Sequence, residues 1–384
     1  MNTQNTAVHI RLWNRAFWQM AIANMLLCMA VTMLIPTLPR WLMLSCGLTE
    51  AETGWVMGAF AFGLFLPGPL CSYLVQQYRR NVVCMAAVVV LALSLLAMVY
   101  VPPRHLLPAL ALRMLQGAAF GLAQMVLAST LIIDTAEAYH RTEANHAATW
   151  FGRFALSIGP LAALLITAHS GFSHVLFAGT ACCGGVVLLI ASVRFPFRVP
   201  TDKPRPFSTD RFFLTAGWPL WLLLLTAMMS VGLMLSLPLD TTFYAMLMVG
   251  FLLALLAQRF VFADAELKSE VVSGLLLMAM AQIILFSGQT SVLCSPMAGL
   301  GMGIVGARFL LFFIKLSHHC QRGTAQSTFM LGWESGIALG LGLGYLCFHG
   351  DTKATLSVAL VLCAVALAVY VGYGHRWFVE HKNR

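Results

Sequence analysis

Besides Arg308, three charged residues lie inside long apolar stretches of the sequence. Arg113 is part of ALRMLQGAAFGLA, residues 111–123, and Arg153 and Glu334 also have mostly apolar neighbours. A charge within a bilayer costs several kcal/mol unless it faces protein or water, so such residues are functional candidates. A guanidinium binds anions, and a buried carboxyl group can carry a proton or bind a cation. If these stretches are membrane helices, the three residues point to the handling of a proton, an ion or a ligand.

On a helix, Arg113 shares one face with residues three and four positions apart. That face carries Gln116, Gly117, Phe120, Gly121 and Gln124. Its polar groups can contact a ligand or water, and its glycines leave room for one. Asn24 adds a polar group in the first apolar stretch, so the predicted substrate pathway consists of Arg113, Gln116, Gln124 and Asn24. The alternative is that Arg113 only ties helix ends to carbonyl groups.

Glu334 is the only acidic residue that we place well inside an apolar stretch. Low-dielectric surroundings disfavour a charged carboxylate, so an unpaired Glu334 is a candidate proton carrier or cation ligand. If Glu334 is instead paired with Arg153 or Arg308, its role is structural. Both interpretations stay open at this point.

The composition identifies the solvent of these stretches as lipid. Of the 384 residues, 60% are hydrophobic and 10% are charged, and the mean hydropathy is +0.83. An ordinary soluble domain has roughly 25% charged residues. A span needs about 20 apolar residues, and only helices or closed barrels satisfy the backbone in lipid. No alternating strand pattern occurs, so we predict an all-α membrane protein of about twelve transmembrane helices.

The predicted spans form two groups of six. They are 17–38, 54–75, 82–101, 106–133, 147–168 and 175–195, then 213–236, 242–260, 271–287, 292–316, 326–348 and 356–373. A charged, proline-bearing segment, RFPFRVPTDKPRPFSTDR, separates the groups. The predicted organisation is therefore a six-helix bundle over 1–195, a cytoplasmic linker over 196–211 and a second six-helix bundle over 212–384.

The basic residues predict the orientation of the chain. Of its 23 lysines and arginines, 17 fall in loops or tails on the side of the termini, three on the other side and three within spans. Basic loops stay in the cytoplasm, so both termini are predicted to be cytoplasmic. We expect a multi-pass protein of a bacterial inner membrane, and the net charge of +9 then reflects topology rather than nucleic-acid binding.

The two halves show signs of an internal repeat. A shift of 181 residues superposes Arg141 on Arg322, just before the fifth span of each half. The same shift superposes Arg153 on Glu334 and Asp134 on Lys315. Parallel six-helix repeats are typical of transporters, with a site between them near the bilayer midplane. The opposite charges could pair across the halves in one conformation, or each could find a partner in its own bundle.

Small residues predict where helices pack closely. Gly332, Gly336, Gly340 and Gly344 repeat every fourth position, and Gly54 and Gly58 offer a similar face on the second span. GLGMGIVG, residues 299–306, contains the spacing of a dinucleotide-binding loop but has no strand before it, so helix packing explains it better.

Enzyme, metal and cofactor signatures are missing from the sequence. It contains no phosphate-binding Gly-x-x-x-x-Gly-Lys loop and no His-Glu-x-x-His zinc motif. His318, His319 and Cys320 are adjacent and no spaced second pair completes a metal site. We expect a monomer in the lipid bilayer without enzymatic activity, metal or cofactor, whose partners are a small-molecule substrate and a proton.

Several motifs resemble those of the major facilitator superfamily. Arg113-Met-Leu-Gln116-Gly117 resembles the Arg-x-x-Gln-Gly motif of its fourth helix, and Gly159-Pro160 resembles the core of a fifth-helix motif of its drug/proton antiporters. Gly68-Pro-Leu, followed by Gln76-Gln-Tyr-Arg79-Arg80, is similar to its loop signature, although Gln76 and Gln77 replace an Asp-Arg pair.

The resemblance implies two pseudo-symmetric six-helix bundles whose second and eleventh helices meet across the boundary. It also implies a role for Arg113 in proton-linked transport. Relatives that export cationic drugs carry an acidic residue in the first helix, where this chain has Asn24 and Thr32, which argues against a cation exporter.

We therefore expect a secondary active transporter that works by alternating access, coupled to protons, with export as one possible direction. An uptake carrier for a metabolite or sugar, and a non-transporting membrane sensor or scaffold on the same fold, are the alternatives. The residues predicted to couple or gate transport are Glu334, Arg153, Arg308, Asp134, Arg141, Lys315, Arg322, Arg79 and Arg80. The predicted packing residues are Gly117, Gly121, Gly159, Pro160, Gly332, Gly336, Gly340 and Gly344.

Overall fold

The computed structural model describes most of the chain. The described residues are 12–102, 104–136, 140–195, 207–262, 266–288, 291–318 and 321–383. Residues 196–206 of the predicted linker lie outside this set, as do His319 and Cys320 of the adjacent His-Cys group. Within the described ranges every regular element is a helix. The predicted all-α fold is confirmed.

The described residues of the first half of the chain form nine α-helices. They are α1 (Arg15–Thr32), α2 (Leu34–Leu44), α3 (Glu50–Phe65), α4 (Gly68–Gln77), α5 (Arg80–Met98), α6 (Leu106–Val126), α7 (Ile132–Asp134), α8 (Arg141–Ser170) and α9 (Phe172–Ala191). A π-helical turn, Leu127–Leu131, joins α6 to α7. Ser129 and Thr130 bond back to carbonyl groups of the preceding turn, which satisfies part of the backbone there.

In the described part of the second half there are seven α-helices. They are α10 (Trp218–Leu235), α11 (Thr241–Phe260), α12 (Leu267–Phe286), α13 (Ser291–Leu316), α14 (Arg322–Phe348), α15 (Thr352–Val369) and α16 (His375–His381). A second π-helical turn, Tyr370–Gly374, joins α15 to α16.

Eleven helices or continuous helix pairs among the described residues are long and apolar enough to cross a membrane. A twelfth span is formed by α3 and α4, which meet at a bend of 46°. Pro67 lies at this bend, and a proline disrupts the hydrogen-bond ladder of a helix. Large apolar side chains such as Leu107 and Leu188 point outward, as a lipid-facing surface requires. The prediction of about twelve spans is confirmed.

Each half packs mainly against itself. In the first half α3 packs on α6 and α1 packs on α8, and in the second half α10 packs on α14 and α11 packs on α13. Two helix pairs make the most extensive contacts between the halves, α3 with α14 and α8 with α11. The contact of α3 with α14 joins the second and eleventh spans.

The predicted glycines pack against backbone at most positions. A Cβ added to Gly117 would lie 2.3 Å from the carbonyl oxygen of Phe60, and one added to Gly121 would lie 2.9 Å from that of Leu64. Beside Pro160, a Cβ on Gly159 would lie 2.3 Å from the Thr32 hydroxyl. These glycines therefore set the spacing of α3 and α6, and of α1 and α8.

The glycine stripe of α14 faces its own half. Gly336 and Gly340 press against α10, Gly344 contacts Ser236, and Gly332 borders Trp221 and Leu224. A different glycine, Gly342, meets Gly54 and Gly58 of α3 at the boundary between the halves. The contact between the second and eleventh spans that the resemblance implies is present. Its glycine on α14 is Gly342, which does not belong to the predicted stripe. Residues 340 and 342 lie about 200° apart around the helix, which separates the two interfaces.

We expect Gly340→Leu to destabilise the fold. A Cβ at this position would lie 2.2 Å from the carbonyl oxygen of Met229, and overpacking of this kind costs on the order of 1–3 kcal/mol. The measurement is the apparent melting temperature of the purified protein in detergent. Gly184→Leu is the matched control, because it changes a glycine within α9 that has open space around its Cβ. Equal melting temperatures for the two variants would contradict this account of Gly340.

Candidate functional site

Glu334 occupies the centre of the bundle. It lies twelve positions after Arg322, the first residue of α14, or about 18 Å along the helix axis. The hydrocarbon core of a bilayer is about 30 Å thick, so Glu334 lies near its middle. Its side chain is partly accessible to internal space and makes no hydrogen bond or ion pair with any described residue.

Three small cavities surround Glu334. Their volumes are about 10, 30 and 20 Å³. The first is bordered by Phe120 and Gln124, the second by Arg153 and Trp333, and the third by Arg113. A cavity needs roughly 10–15 Å³ to hold one water molecule, so the centre is nearly closed in this conformation. Among the residues that line the three cavities, the charged ones are Arg113, Arg153 and Glu334.

Arg153 is buried in an aromatic enclosure. Only 2% of the residue is exposed, and its guanidinium carbon lies 4.5 Å from the ring centroid of Trp150 and 5.8 Å from that of Trp333. Phe329 lies at 5.9 Å. No atom of the described residues accepts a hydrogen bond from Nε, Nη1 or Nη2. Gly306 makes room for this group, since a Cβ there would lie 2.6 Å from the Trp333 ring and 3.0 Å from Arg153 Nε.

Arg113 is also buried but is partly satisfied. Its Nη1 donates to Gln116 Oε1 at 3.0 Å, whereas its Nε has no hydrogen-bond partner in the described part of the chain. The guanidinium carbon lies 4.5 Å from the ring centroid of Phe60. Gln116 in turn donates to the carbonyl oxygen of Ser94 at 3.4 Å. Arg113 is thus held by α6 while one wall of its site opens toward Glu334.

The predicted substrate pathway divides into two places. Gln124 Nε2 donates to Asn24 Oδ1 at 2.7 Å, and Asn24 Nδ2 donates to the carbonyl oxygen of Ala148 at 2.9 Å. This pair borders the cavity that contains Arg153. Arg113 borders the neighbouring cavity, with Gln116 behind it. Glu334 is the residue that both cavities share.

Two equivalent stripes of residues lead from one end of the protein to this centre. On α8 the stripe is Arg141, Asn145, Thr149 and Arg153, and on α14, at the offset of 181, it is Arg322, Gln326, Met330 and Glu334. Positions four apart share a helix face. The stripes contact each other where Gln326 Nε2 donates to Thr149 Oγ1 at 3.0 Å. One turn away, Arg322 Nη1 donates to Thr142 Oγ1 at 3.1 Å.

The stripes begin at a vestibule of about 530 Å³ between the two halves. Its charged lining residues are Arg80, Asp134, Arg141, Asp210, Arg211 and Arg322. We call this end of the bundle the basic end. Burial lowers the pKa of Arg211, and the positive charge of Arg80 adds to this effect. Because four arginines and two aspartates line the vestibule, it carries a local excess of positive charge.

In this conformation Asp134 has its partner in its own half, which is one of the two alternatives that the sequence left open. Asp134 Oδ2 accepts a hydrogen bond from Arg80 Nη1 at 2.8 Å, within the same half of the chain. Lys315 is exposed and does not border the vestibule. The reason is that α5 begins where α7 ends, which places Arg80 beside Asp134. Arg79 precedes Arg80 in the sequence and is the N-cap residue of α5.

Sequence reasoning missed Glu270. This residue is 1% exposed and forms an ion pair with Arg308, through Oε2 and Nε. The predicted span began at 271, whereas α12 begins at Leu267 and brings Glu270 into its first turn. Arg308 therefore has a partner in its own half, and a Glu334–Arg308 pair is excluded in this conformation. An acidic residue one position before an apolar run was the available signal.

The opposite end of the bundle is closed between the halves. A Cβ on Gly54 would lie 2.6 Å from the backbone nitrogen of Leu346, which shows how closely α3 and α14 approach. Ser157 on α8 donates to the carbonyl oxygen of Tyr244 on α11. Glu50 Oε2 and His349 Nδ1 lie 3.6 Å apart at the outer rim. In this conformation the large cavity lies at the basic end, whereas the described residues of the two halves pack together at the opposite end.

Solved structures of transporters have the same fold. Comparable structures include an auto-inhibited POT family peptide transporter, with a TM-score of 0.71, 11% identity, and coverage of 97% of this chain and 98% of that one. The nucleoside transporter NupG gives 0.65 and 14%, covering 93% and 98%. The human organic anion transporter MFSD10 (TETRAN) gives 0.64 and 16%, covering 92% and 98%. No curated protein sequence matches the chain.

A family sequence model also relates the chain to transporters, independently of the structural comparison. The model of the Major Facilitator Superfamily matches residues 20–265, which is more than half of the chain. This match agrees with the twelve membrane spans, the two packed halves and the likeness to solved transporter structures. The chain belongs to the Major Facilitator Superfamily and is a membrane transport protein.

Proposed function

We propose that the protein is a secondary active transporter that moves a small molecule by alternating access and couples this movement to protons. The observation that carries the proposal is Glu334, a carboxyl group at mid-membrane that no described side chain neutralises. A membrane-embedded carboxyl without a fixed partner is suited to exchange a proton during each cycle. Arg113 and Arg153 border the same cavities and can approach the carboxylate when it is charged.

Access to this carboxyl is asymmetric. The stripes on α8 and α14 lead to it from the vestibule, whereas α3 and α14 close the opposite end. Alternating access requires these closures to exchange, by rocking of the halves about the central site. The bridges from Arg322 to Thr142 and from Gln326 to Thr149 would then tighten or part during the cycle. In this proposal the two six-helix bundles, residues 1–195 and 212–384, are the units that rock against each other.

The basic end is proposed to face the cytoplasm of a bacterial cell. Arg79, Arg80, Arg141, Arg211 and Arg322 all lie there, and basic loops are retained on the cytoplasmic side of an inner membrane. Near the ends of the described chain, Asn14 donates to the carbonyl oxygen of Thr135 and Asn383 to that of Leu316, both close to the basic end. The vestibule thus gives the cytoplasm access to the centre in this conformation, which suits either substrate loading for export or release after uptake.

We expect Glu334→Gln to abolish gradient-driven transport. Glutamine retains the shape of the side chain but cannot exchange a proton. The measurement is movement of a mixed panel of dyes, drugs and metabolites in pump-deficient cells under an imposed proton gradient, at matched expression. Glu380→Gln is the control, because Glu380 is an exposed carboxylate that pairs with Arg376 away from the centre.

The panel also separates the remaining alternatives. Full gradient-driven transport by Glu334→Gln would contradict a coupling role for this residue. Movement of none of the compounds by the wild type would favour the non-transporting sensor or scaffold. Movement into the cell with the gradient, and not out of it, would identify an uptake carrier.

A cross-link between residues 50 and 349 should stop transport. Glu50 and His349 lie on opposite halves at the closed end, with 3.6 Å between Glu50 Oε2 and His349 Nδ1. Cysteines at both positions, joined by a short reversible thiol cross-linker, would hold the end shut and block the alternate state. The measurement is gradient-driven transport before cross-linking, after it, and after reduction.

The single variants Glu50→Cys and His349→Cys, treated with the same reagent, control for the native cysteines. Unchanged transport by the cross-linked double variant would show that this end need not open, and alternating access through it would be wrong.

A further inference from the structure

We propose that the central site binds an organic anion, with Arg153 as its principal contact. This inference rests on the proposed function and deepens it by naming a substrate class. It starts from an imbalance of charge, because two buried guanidinium groups face the central cavities and one carboxyl group accompanies them. An additional negative group would complete the balance.

Arg153 is the member of this pair that lacks a partner. Arg113 already donates to Gln116, whereas all three nitrogens of the Arg153 guanidinium lack an acceptor among the described residues. A guanidinium presents its donors as a planar fork that fits two oxygens of a carboxylate. Of the described residues, Arg153 is the one whose side chain combines near-complete burial with a wholly unused fork. Leaving such a group unpaired is costly, so a bound anion would gain a strong contact here.

The surroundings indicate the rest of the ligand. Trp150, Phe329 and Trp333 surround the guanidinium, and Met330 borders the same cavity. Aromatic rings and a methionine side chain offer apolar contact to a flat hydrocarbon body. Asn24 and Gln124 add polar groups at one edge. A small carboxylate with an apolar, planar body fits this set of contacts, whereas a cation would meet two guanidinium charges.

The cavity beside Arg153 has a volume of only about 30 Å³, so the ligand cannot enter without movement. The route is the vestibule, and the hydrogen bond from Gln326 to Thr149 crosses between the halves just before Arg153. Parting of the stripes at this bond would enlarge the cavity and expose the guanidinium. The positive charge of the vestibule would attract an anion toward the same entrance.

Binding of radiolabelled benzoate to the full-length protein in nanodiscs tests the proposal without any proton gradient. We expect saturable binding that unlabelled benzoate displaces and that benzamide, its uncharged analogue, and benzylamine, a cation, do not. Arg153→Gln should weaken binding by roughly ten- to a hundredfold, as expected for loss of a charged hydrogen-bond pair. Arg259→Gln should leave it unchanged, because Arg259 is an exposed arginine that also lies near an aromatic ring.

Three results would overturn the proposal. These are the absence of saturable benzoate binding, equal displacement by benzamide, and unchanged affinity in Arg153→Gln. The comparison of benzoate with benzamide uses the wild-type protein, so it remains decisive if Arg153→Gln does not fold.

Glu334→Gln separates this test from the test of coupling. The variant should bind benzoate at least as tightly as the wild type, because a competing negative charge is removed. Gradient-driven transport lost in Glu334→Gln with binding intact would support both proposals. Coupled transport of a substrate in wild type without benzoate binding would leave the proposed function standing and remove the anion assignment.

Discussion

The centre of this protein holds more positive than negative side chains in the membrane interior. The energetic cost of this imbalance is the main constraint on the central site. Arg113 and Arg153 are almost fully buried, and Glu334 is the one carboxyl group that shares their cavities. A buried charge needs a partner or contact with water, and a single carboxylate cannot satisfy two guanidinium groups at once. The aromatic rings around Arg153 and the amide of Gln116 beside Arg113 reduce the cost without removing it. The centre is therefore poised to respond to a proton, an anion or a movement of either half.

Close helix packing confines that response to a few movements. Gly117, Gly121, Gly336 and Gly340 bring backbones together within each half, where a side chain could not be inserted without displacement. Such contacts make each half stiff. The boundary between the halves is different, because a vestibule of about 530 Å³ separates them at the basic end while α3 and α14 join them at the other. Stiff units with an uneven boundary favour rocking over internal rearrangement.

The sequence predicted those features that the bilayer itself imposes. Apolar runs of fixed length identify the spans, since unsatisfied backbone groups are excluded from lipid. Arg113, Arg153 and Glu334 were recognisable because charge is rare at mid-span, and the offset of 181 anticipated that the α8 and α14 stripes are equivalent. Ion-pair partners were less predictable. Glu270 and Arg80 acquired their partners from the exact start of α12 and α5, and a shift of a few residues at a helix end moves a carboxylate from a loop into the core.

The geometry of the centre also constrains how coupling would work if an organic anion is the substrate. Arg153 and Glu334 border one cavity, so a charged Glu334 and a bound carboxylate compete for the same guanidinium. Protonation of Glu334 removes the competitor, and the anion then binds most readily when the proton is already present. Proton and anion would consequently occupy the site together and cross the membrane in the same direction. Exchange in opposite directions would instead require the proton to displace the ligand, which is the natural outcome for a cation that binds the carboxylate directly. With an anion as the substrate, the positive charge of the cavity would favour cotransport, and if the basic end faces the cytoplasm, an inward proton gradient would carry the anion into the cell.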